Sequence, residues 1–209
     1  MPETLYLTGF GPFPGVEINP TEALARQLNG LHVGDLRVQS EVLPVAFERA
    51  ATRTQEALTA MSPKYIVHLG VATTADTLRL ETRAVNCADT NLHDIDADAD
   101  TPRKPGTRSL ISDLPRDHFC ATRVPLDPLL AALNGAGFPT QISDDAGRYV
   151  CNSTYFHSLK AHSKVLFVHV PPLHRSTAHR SQEGTAWTDQ RLNDAVQCLL
   201  RAIADLHSL

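Results

Sequence analysis

The sequence predicts an α/β fold, a sheet covered by helices on both faces. Three observations predict it. Short apolar runs of strand length alternate with segments whose apolar residues recur at helical spacing. Helix-start residues separate the two, most clearly in Asn19-Pro20-Thr21-Glu22. A chain of 209 residues, 42% of them hydrophobic, fills the core of one domain spanning residues 1–209.

The elements follow in order. Leu5 to Thr8 is a short apolar strand. Asn19 is then a side-chain cap, Pro20 the first helical residue and Glu22 an acid in the first turn, and Gly30 ends the helix. Leu36 to Val45 reads as strand. Phe47, Ala50, Ala51, Thr54, Leu58 and Met61 recur at helical spacing, and Lys64 to Gly70 (KYIVHLG) is a buried strand. Leu78 to Val85 alternates, with Arg79, Glu81, Arg83 and Val85 on one face. Asp127-Pro128 starts a helix that ends near Gly135. Thr140 to Ser143 and Tyr149 to Val150 bracket a DDAG turn, and Asn152-Ser153-Thr154 opens a helix. Lys164 to Val170 is an apolar strand, and Ala186 to Leu206 is a long amphipathic helix.

Composition excludes several function classes. A formal net charge of -4 with no Lys/Arg cluster gives no surface for a phosphate backbone, so nucleic acid is not expected as a partner. No segment offers the roughly 18 consecutive apolar residues of a membrane span, and MPETLYLTGF has no signal-peptide pattern. Four widely spaced cysteines, Cys87, Cys120, Cys151 and Cys198, form neither a zinc ribbon nor a disulfide scaffold. The expected compartment is reducing and cytoplasmic. A homo-oligomer is left open.

Residues 87 to 123 break the alternation with a long stretch rich in Asp, Pro and Arg. DIDADAD sets Asp94, Asp96, Asp98 and Asp100 at alternate positions, but Ala99 and Pro105 stand where a calcium loop needs glycine and glutamate. A solvated acidic loop is the reading. GFGPFPG lacks dinucleotide-binding spacing, and His169, His174 and His179 lack a zinc motif because Pro171-Pro172 interrupts them. No cofactor or metal is expected.

Cys151 is the remaining candidate. The thiolate is the nucleophile, and a helix start and a neighbouring imidazole both favour it. His169 closes the VLFVHV strand, and Glu81 is a carboxylate able to orient it. On pattern alone the default remains a buried filler cysteine, a satisfied core histidine, and a Glu81 paired with Arg79 or Arg83 on a strand surface.

TGFGPFPGVEINPTEALARQLNG, LRLETRAVN, GRYVCNSTYFHSL and FVHVPPLH, in this order and near these spacings, resemble the pyroglutamyl peptidase I family of cysteine peptidases. The resemblance implies a three-layer α/β/α sandwich around a mixed, mostly parallel sheet. It implies removal of an N-terminal pyroglutamyl residue from peptides. By the same matching, Glu81, Cys151 and His169 are the catalytic set, and Phe10, Phe13, Asn19, Val71 and Tyr149 belong to the substrate pocket. The chain departs from the family pattern at GVATTADT, at Thr82 after the glutamate, at Tyr149 in place of phenylalanine, and at Asn91 in place of arginine. Asn91 is therefore the candidate second oxyanion donor beside the Cys151 N–H. Two further readings accompany this one: an inactive relative that binds pyroglutamyl termini, and another α/β hydrolase or phosphorylase-like enzyme.

Overall fold

The computed structural model describes residues 2–92, 94–96, 106–173 and 186–208. His174, His179, Asp98, Ala99, Asp100 and Pro105 lie outside the described residues. The element order is β1 (Glu3–Phe10), α1 (Pro20–Leu28), β2 (His32–Val33), β3 (Leu36–Leu43), α2 (Phe47–Met61), β4 (Tyr65–Val71), β5 (Leu78–Glu81), β6 (Arg83–Val85) and β7 (Ala88–Asp89). There follow β8 (Thr107–Arg108), β9 (Phe119–Ala121), α3 (Leu126–Gly135), β10 (Thr140–Ser143), α4 (Val150–Ala161), β11 (Val165–Val170) and α5 (Asp189–His207).

The main sheet has seven strands in the order β10-β5-β11-β4-β1-β3-β2. Pairings β1–β3, β1–β4, β4–β11 and β5–β10 are parallel, while β5–β11 and β2–β3 are antiparallel. The sheet is thus mixed and mostly parallel. One face packs Leu5, Val67, Leu80 and Val168 against Leu24 and Leu28 of α1, Leu129 and Leu133 of α3, and the Leu192–Ile203 stripe of α5. The other packs Phe10, Ile66 and Phe167 against Phe47 and Ala50 of α2 and Val150, Tyr155 and Phe156 of α4. The expected α/β/α layering is what the chain forms.

Local chemistry explains the boundaries. Asn19 caps α1, its Oδ1 accepting from the Thr21 N–H at 3.2 Å. A Cβ on Gly9 would meet the Thr21 carbonyl oxygen at 1.9 Å, so this glycine lets α1 seat on β1.

The structure corrects several of these readings, and the strand expected from Leu36 to Val45 ends at Leu43. Leu78 to Val85 is two strands, because the chain leaves the main sheet at Thr82 and β6 pairs with β9 in a separate two-stranded sheet. Tyr149 and Val150 are not a strand: Tyr149 is the extended cap of α4 and Val150 its first helical residue. The long helix begins at Asp189 rather than Ala186, where the Thr188 hydroxyl accepts from the Arg191 N–H at 3.1 Å. Residues 87 to 123 carry structure that their composition hides. β7 pairs with β8, and the buried Asn86 amide donates to the carbonyls of Ile111, Leu114 and Pro115 at 2.9–3.1 Å. Two of the acidic residues are not simply solvated. Asp94 accepts from the Phe47 N–H at 2.8 Å and caps α2, whose own N-terminal flank supplies no side-chain cap, while Asp96 pairs with Arg49.

Candidate active site

Strand register decides which polar groups share a neighbourhood, since directly paired residues project from the same face. Toward α4, one row runs Gln141, Arg79, His169, Gly70 across β10, β5, β11 and β4. The next runs Ser143, Glu81, Phe167, His68, Thr8. Glu81 and His169 are therefore diagonal neighbours. Glu81 Oε1 and His169 Nδ1 are 2.8 Å apart, with Glu81 fully buried and His169 8% exposed. The surface pairing of Glu81 with Arg79 or Arg83 does not occur: Arg83 bonds Asp144 instead.

Cys151 is the second residue of α4, where backbone N–H groups have no acceptor within the helix and the dipole favours negative charge. Asn152 fixes this turn. Its Nδ2 donates to the carbonyls of Val85 and Cys87, and its Oδ1 accepts from the Val85 N–H, all at 2.9 Å. The thiol lies over Gly70. A Cβ there would come within 2.9 Å of Cys151 Sγ and 2.8 Å of the Phe167 ring, so only glycine leaves room for both.

Cys151 also hydrogen-bonds His169. With Nδ1 on Glu81, Nε2 is the nitrogen left for the thiol. Burial alone would depress the His169 pKa. The hydrogen bonds from Cys151 and Glu81, and the charges they carry, outweigh it and raise the value to about 9. The acid is itself held, since the Tyr155 hydroxyl donates to the Glu81 carbonyl at 2.8 Å. Glu81 Oε2 is buried with no partner among the described residues.

Sequence reasoning missed His68. It is fully buried, with Nδ1 2.7 Å from the Thr8 hydroxyl and Nε2 2.8 Å from Ser158 Oγ, and burial lowers its pKa to about 3. The Ser158 hydroxyl donates to the Thr154 carbonyl, so His68 Nε2 is the donor and Nδ1 accepts from Thr8. A neutral imidazole thus ties α4 to β4 and β1. The signal was available: the period of two in KYIVHLG puts Ile66, His68 and Gly70 on one face.

The five substrate-pocket candidates separate. Phe13 and Tyr149 meet with ring centroids 6.2 Å apart, and Tyr149 stands edge-on to Phe47 at 5.6 Å. Burial, with the charges of Asp94 and Cys151, pushes the Tyr149 hydroxyl up to about 12. Phe10 is 2% exposed and backs this region from the core, 6.4 Å from Phe167. Asn19 is buried and spends its amide on Gly11 O at 3.0 Å and its oxygen on Thr21. Val71 ends β4 and lines a cleft of about 520 Å³ with Gly15, Val16, Ile18, Pro172 and Leu173. Asn91 is exposed, and its backbone and side-chain N–H groups both bond Asp89 Oδ1 at 2.8 Å. The other three cysteines are free thiols outside this cluster: Cys87 buried, Cys120 and Cys198 half-buried. Among the described residues no cluster of three or more His, Cys, Asp or Glu is arranged to hold a metal, and no helix is long and apolar enough to cross a membrane.

The chain is similar to several known proteins. The chain is 34% identical over 171 residues to a pyrrolidone-carboxylate peptidase of Pyrococcus furiosus, covering 79% of each chain. It is 30% identical over 173 residues to one of Yersinia pestis, covering 80% of this chain and 77% of that one. The solved pyrrolidone carboxyl peptidase from Thermococcus litoralis superposes with a TM-score of 0.85 at 26% identity, over 99% of this chain and 95% of that one. The family model described as pyroglutamyl peptidase matches residues 3–206, so a chain with a thiol at a helix start and a buried carboxylate–imidazole pair on the adjoining sheet belongs to the pyroglutamyl peptidase family.

Proposed function

We propose that residues 1–209 act as one catalytic domain, a cysteine exopeptidase that removes the N-terminal pyroglutamyl residue from peptides. The observation that carries this reading is the Glu81–His169 pair at 2.8 Å, hydrogen-bonded onward to Cys151 at the start of α4, in a member of this family. The His169 pKa of about 9 keeps the imidazole protonated at neutral pH and so presents a cation to the Cys151 sulfur, whose thiolate form is the nucleophile. The thiolate attacks the carbonyl carbon of the pyroglutamyl peptide bond, and the tetrahedral oxyanion meets the first-turn N–H groups of α4, that of Cys151 among them. His169 gives its proton to the leaving amine nitrogen as the C–N bond breaks, and a thioester remains. Water, deprotonated by the now neutral imidazole, attacks the thioester carbonyl and releases pyroglutamate and the thiolate.

Glu81 acts through His169, holding its tautomer and stabilising the imidazolium. The acyl group is a flat, uncharged lactam. Phe13 and Tyr149 would enclose it, with Phe10 behind them, the backbone near Val71 and Tyr149 bonding its amide, and Asn19 holding the Gly11 turn. Such a pocket needs no carboxylate for a substrate ammonium, no metal and no cofactor. Four free cysteines support a reducing, cytoplasmic site of action.

The deciding experiment incubates the pure protein with a pyroglutamyl fluorogenic amide and, separately, an alanyl one. Turnover of the first alone is expected. Pyroglutamyl binding without turnover would make the chain an inactive relative, and phosphate-dependent turnover would make it a phosphorylase-like enzyme.

A further inference from the structure

Arg79 has no role in the chemistry above, yet register sets it beside the proton donor. It pairs directly with His169 across the antiparallel β5–β11 ladder, so the two Cα atoms are roughly 5 Å apart and both side chains face α4. It lies on the opposite flank of His169 from Gly70, over which the thiol sits. The half-buried Arg79 makes no hydrogen bond or ion pair with any described residue, and its Nε is buried without an acceptor. Arg79 lines a groove of about 340 Å³ with Gln141, Ser143 and Asp144 along β10, the sheet edge. Asp144 already bonds Arg83 Nη2 at 3.2 Å, so the groove's own carboxylate is engaged elsewhere.

The direction of the substrate gives this cation a task. Phe13, Tyr149 and Phe47 gather the candidate acyl pocket on the β1 side of the thiol, and the leaving nitrogen must sit at His169. The leaving group then extends onto β5 and β10. An α-carboxylate lies two bonds beyond that nitrogen, within reach of a guanidinium one strand away. In a longer peptide it lies about 3.5 Å further for each added residue. Resting on the peptidase reading, we propose that Arg79 is a specificity-determining residue of a leaving-side subsite that binds the free α-carboxylate of pyroglutamyl dipeptides. Its planar fork suits a two-point grip on a carboxylate, with Gln141 as a neutral neighbour.

The test compares kcat/KM for pyroglutamyl-alanine, pyroglutamyl-alaninamide and pyroglutamyl-alanyl-alanine on the wild-type protein, Arg79→Gln and Arg79→Lys. The expected wild-type preference for the dipeptide acid over its amide is about tenfold or more, mainly in KM. It collapses toward one in Arg79→Gln, is partly kept in Arg79→Lys, and is absent for the tripeptide. An acid-to-amide ratio near one in the wild type, the same ratio in Arg79→Gln, or an equal gain for the tripeptide would each overturn the subsite. Should the wild type cleave none of the three, the failure falls on the peptidase reading. Calorimetric binding of the dipeptide acid and amide to Cys151→Ala then decides the subsite: tighter binding of the acid supports it, and equal Kd values overturn it.

Discussion

Cys151, His169 and Glu81 differ in what their removal costs. Cys151→Ala deletes the nucleophile while the Asn152 clasp that fixes the turn stays, so activity is expected to vanish with an unchanged circular dichroism spectrum. A single alkylation at Cys151, read by mass spectrometry, should inactivate the wild type; full activity after that labelling would refute the assignment. His169→Ala is expected to lose about a thousandfold or more in kcat/KM, and Glu81→Gln less, because the orienting group acts only through the imidazole. The two differ further in pH. Protonated His169 is the acid, so activity falls as pH rises through about 9. Glu81→Gln removes a charge that holds this value up, and its alkaline limb moves to lower pH. An unmoved limb would mean that Glu81 does not tune the imidazole. Linkage has the same sign: the pair's contribution to stability is full below pH 6.5, the ordinary histidine value, and is lost as pH rises through about 9. Phe13→Ala opens one wall of the proposed lactam pocket and should lower kcat/KM by about 1 to 3 kcal/mol of transition-state binding. Peptides beginning with glutamine or glutamate, which bring an ammonium to those apolar walls, should be rejected more strongly than that.

Helix α4 shows why the site was legible in part. RYVCNST displays the cysteine and a helix start, and the β-strand character of Tyr149-Val150 concealed that the helix begins at Val150 rather than Asn152, a choice made by the Asn152 clasp on Val85 and Cys87 rather than by local propensity. That clasp joins residues 67 apart, which no local pattern reveals. Asn152→Ala would take from the Val85 N–H and the Cys87 O their side-chain partner and leave Val85 O with the Cys87 N–H alone. A loss of about 2 to 4 kcal/mol in urea unfolding is expected, with kcat falling as the thiol loses its anchorage. Helix α2 teaches the same lesson from the other side. Phe47 to Met61 was plain from periodicity, yet its cap comes from Asp94, 47 residues on, inside a stretch whose composition suggests only solvated acid. Asp94→Ala should cost about 1 kcal/mol, and Asp94→Asn less. Gly70→Ala tests the seat of the thiol: a methyl 2.9 Å from Sγ displaces it, so alkylation at Cys151 should slow while secondary structure persists.

For the whole molecule, alternation of strands and helices was enough to give the layers, because each apolar face must be buried against another element. It could not give the strand order, which depends on pairings between distant segments. The departures from a wholly parallel sheet are β2, antiparallel to β3, and the β5–β10 pair, antiparallel to β11. Strand β11 comes last in sequence among the described strands and sits between β5 and β4. Until it inserts, β10-β5 and β4-β1-β3-β2 have no hydrogen bonds to join them, and His169 arrives on that same strand. A chain emerging from the ribosome therefore holds Cys151 and Glu81 before it has the imidazole that joins them, and is inert toward the peptides around it. Synthesis of β11 unites the sheet and supplies the proton donor in one event, so a half-made molecule has no working chemistry. In refolding, recovered activity should keep pace with burial of Trp187 and never precede it.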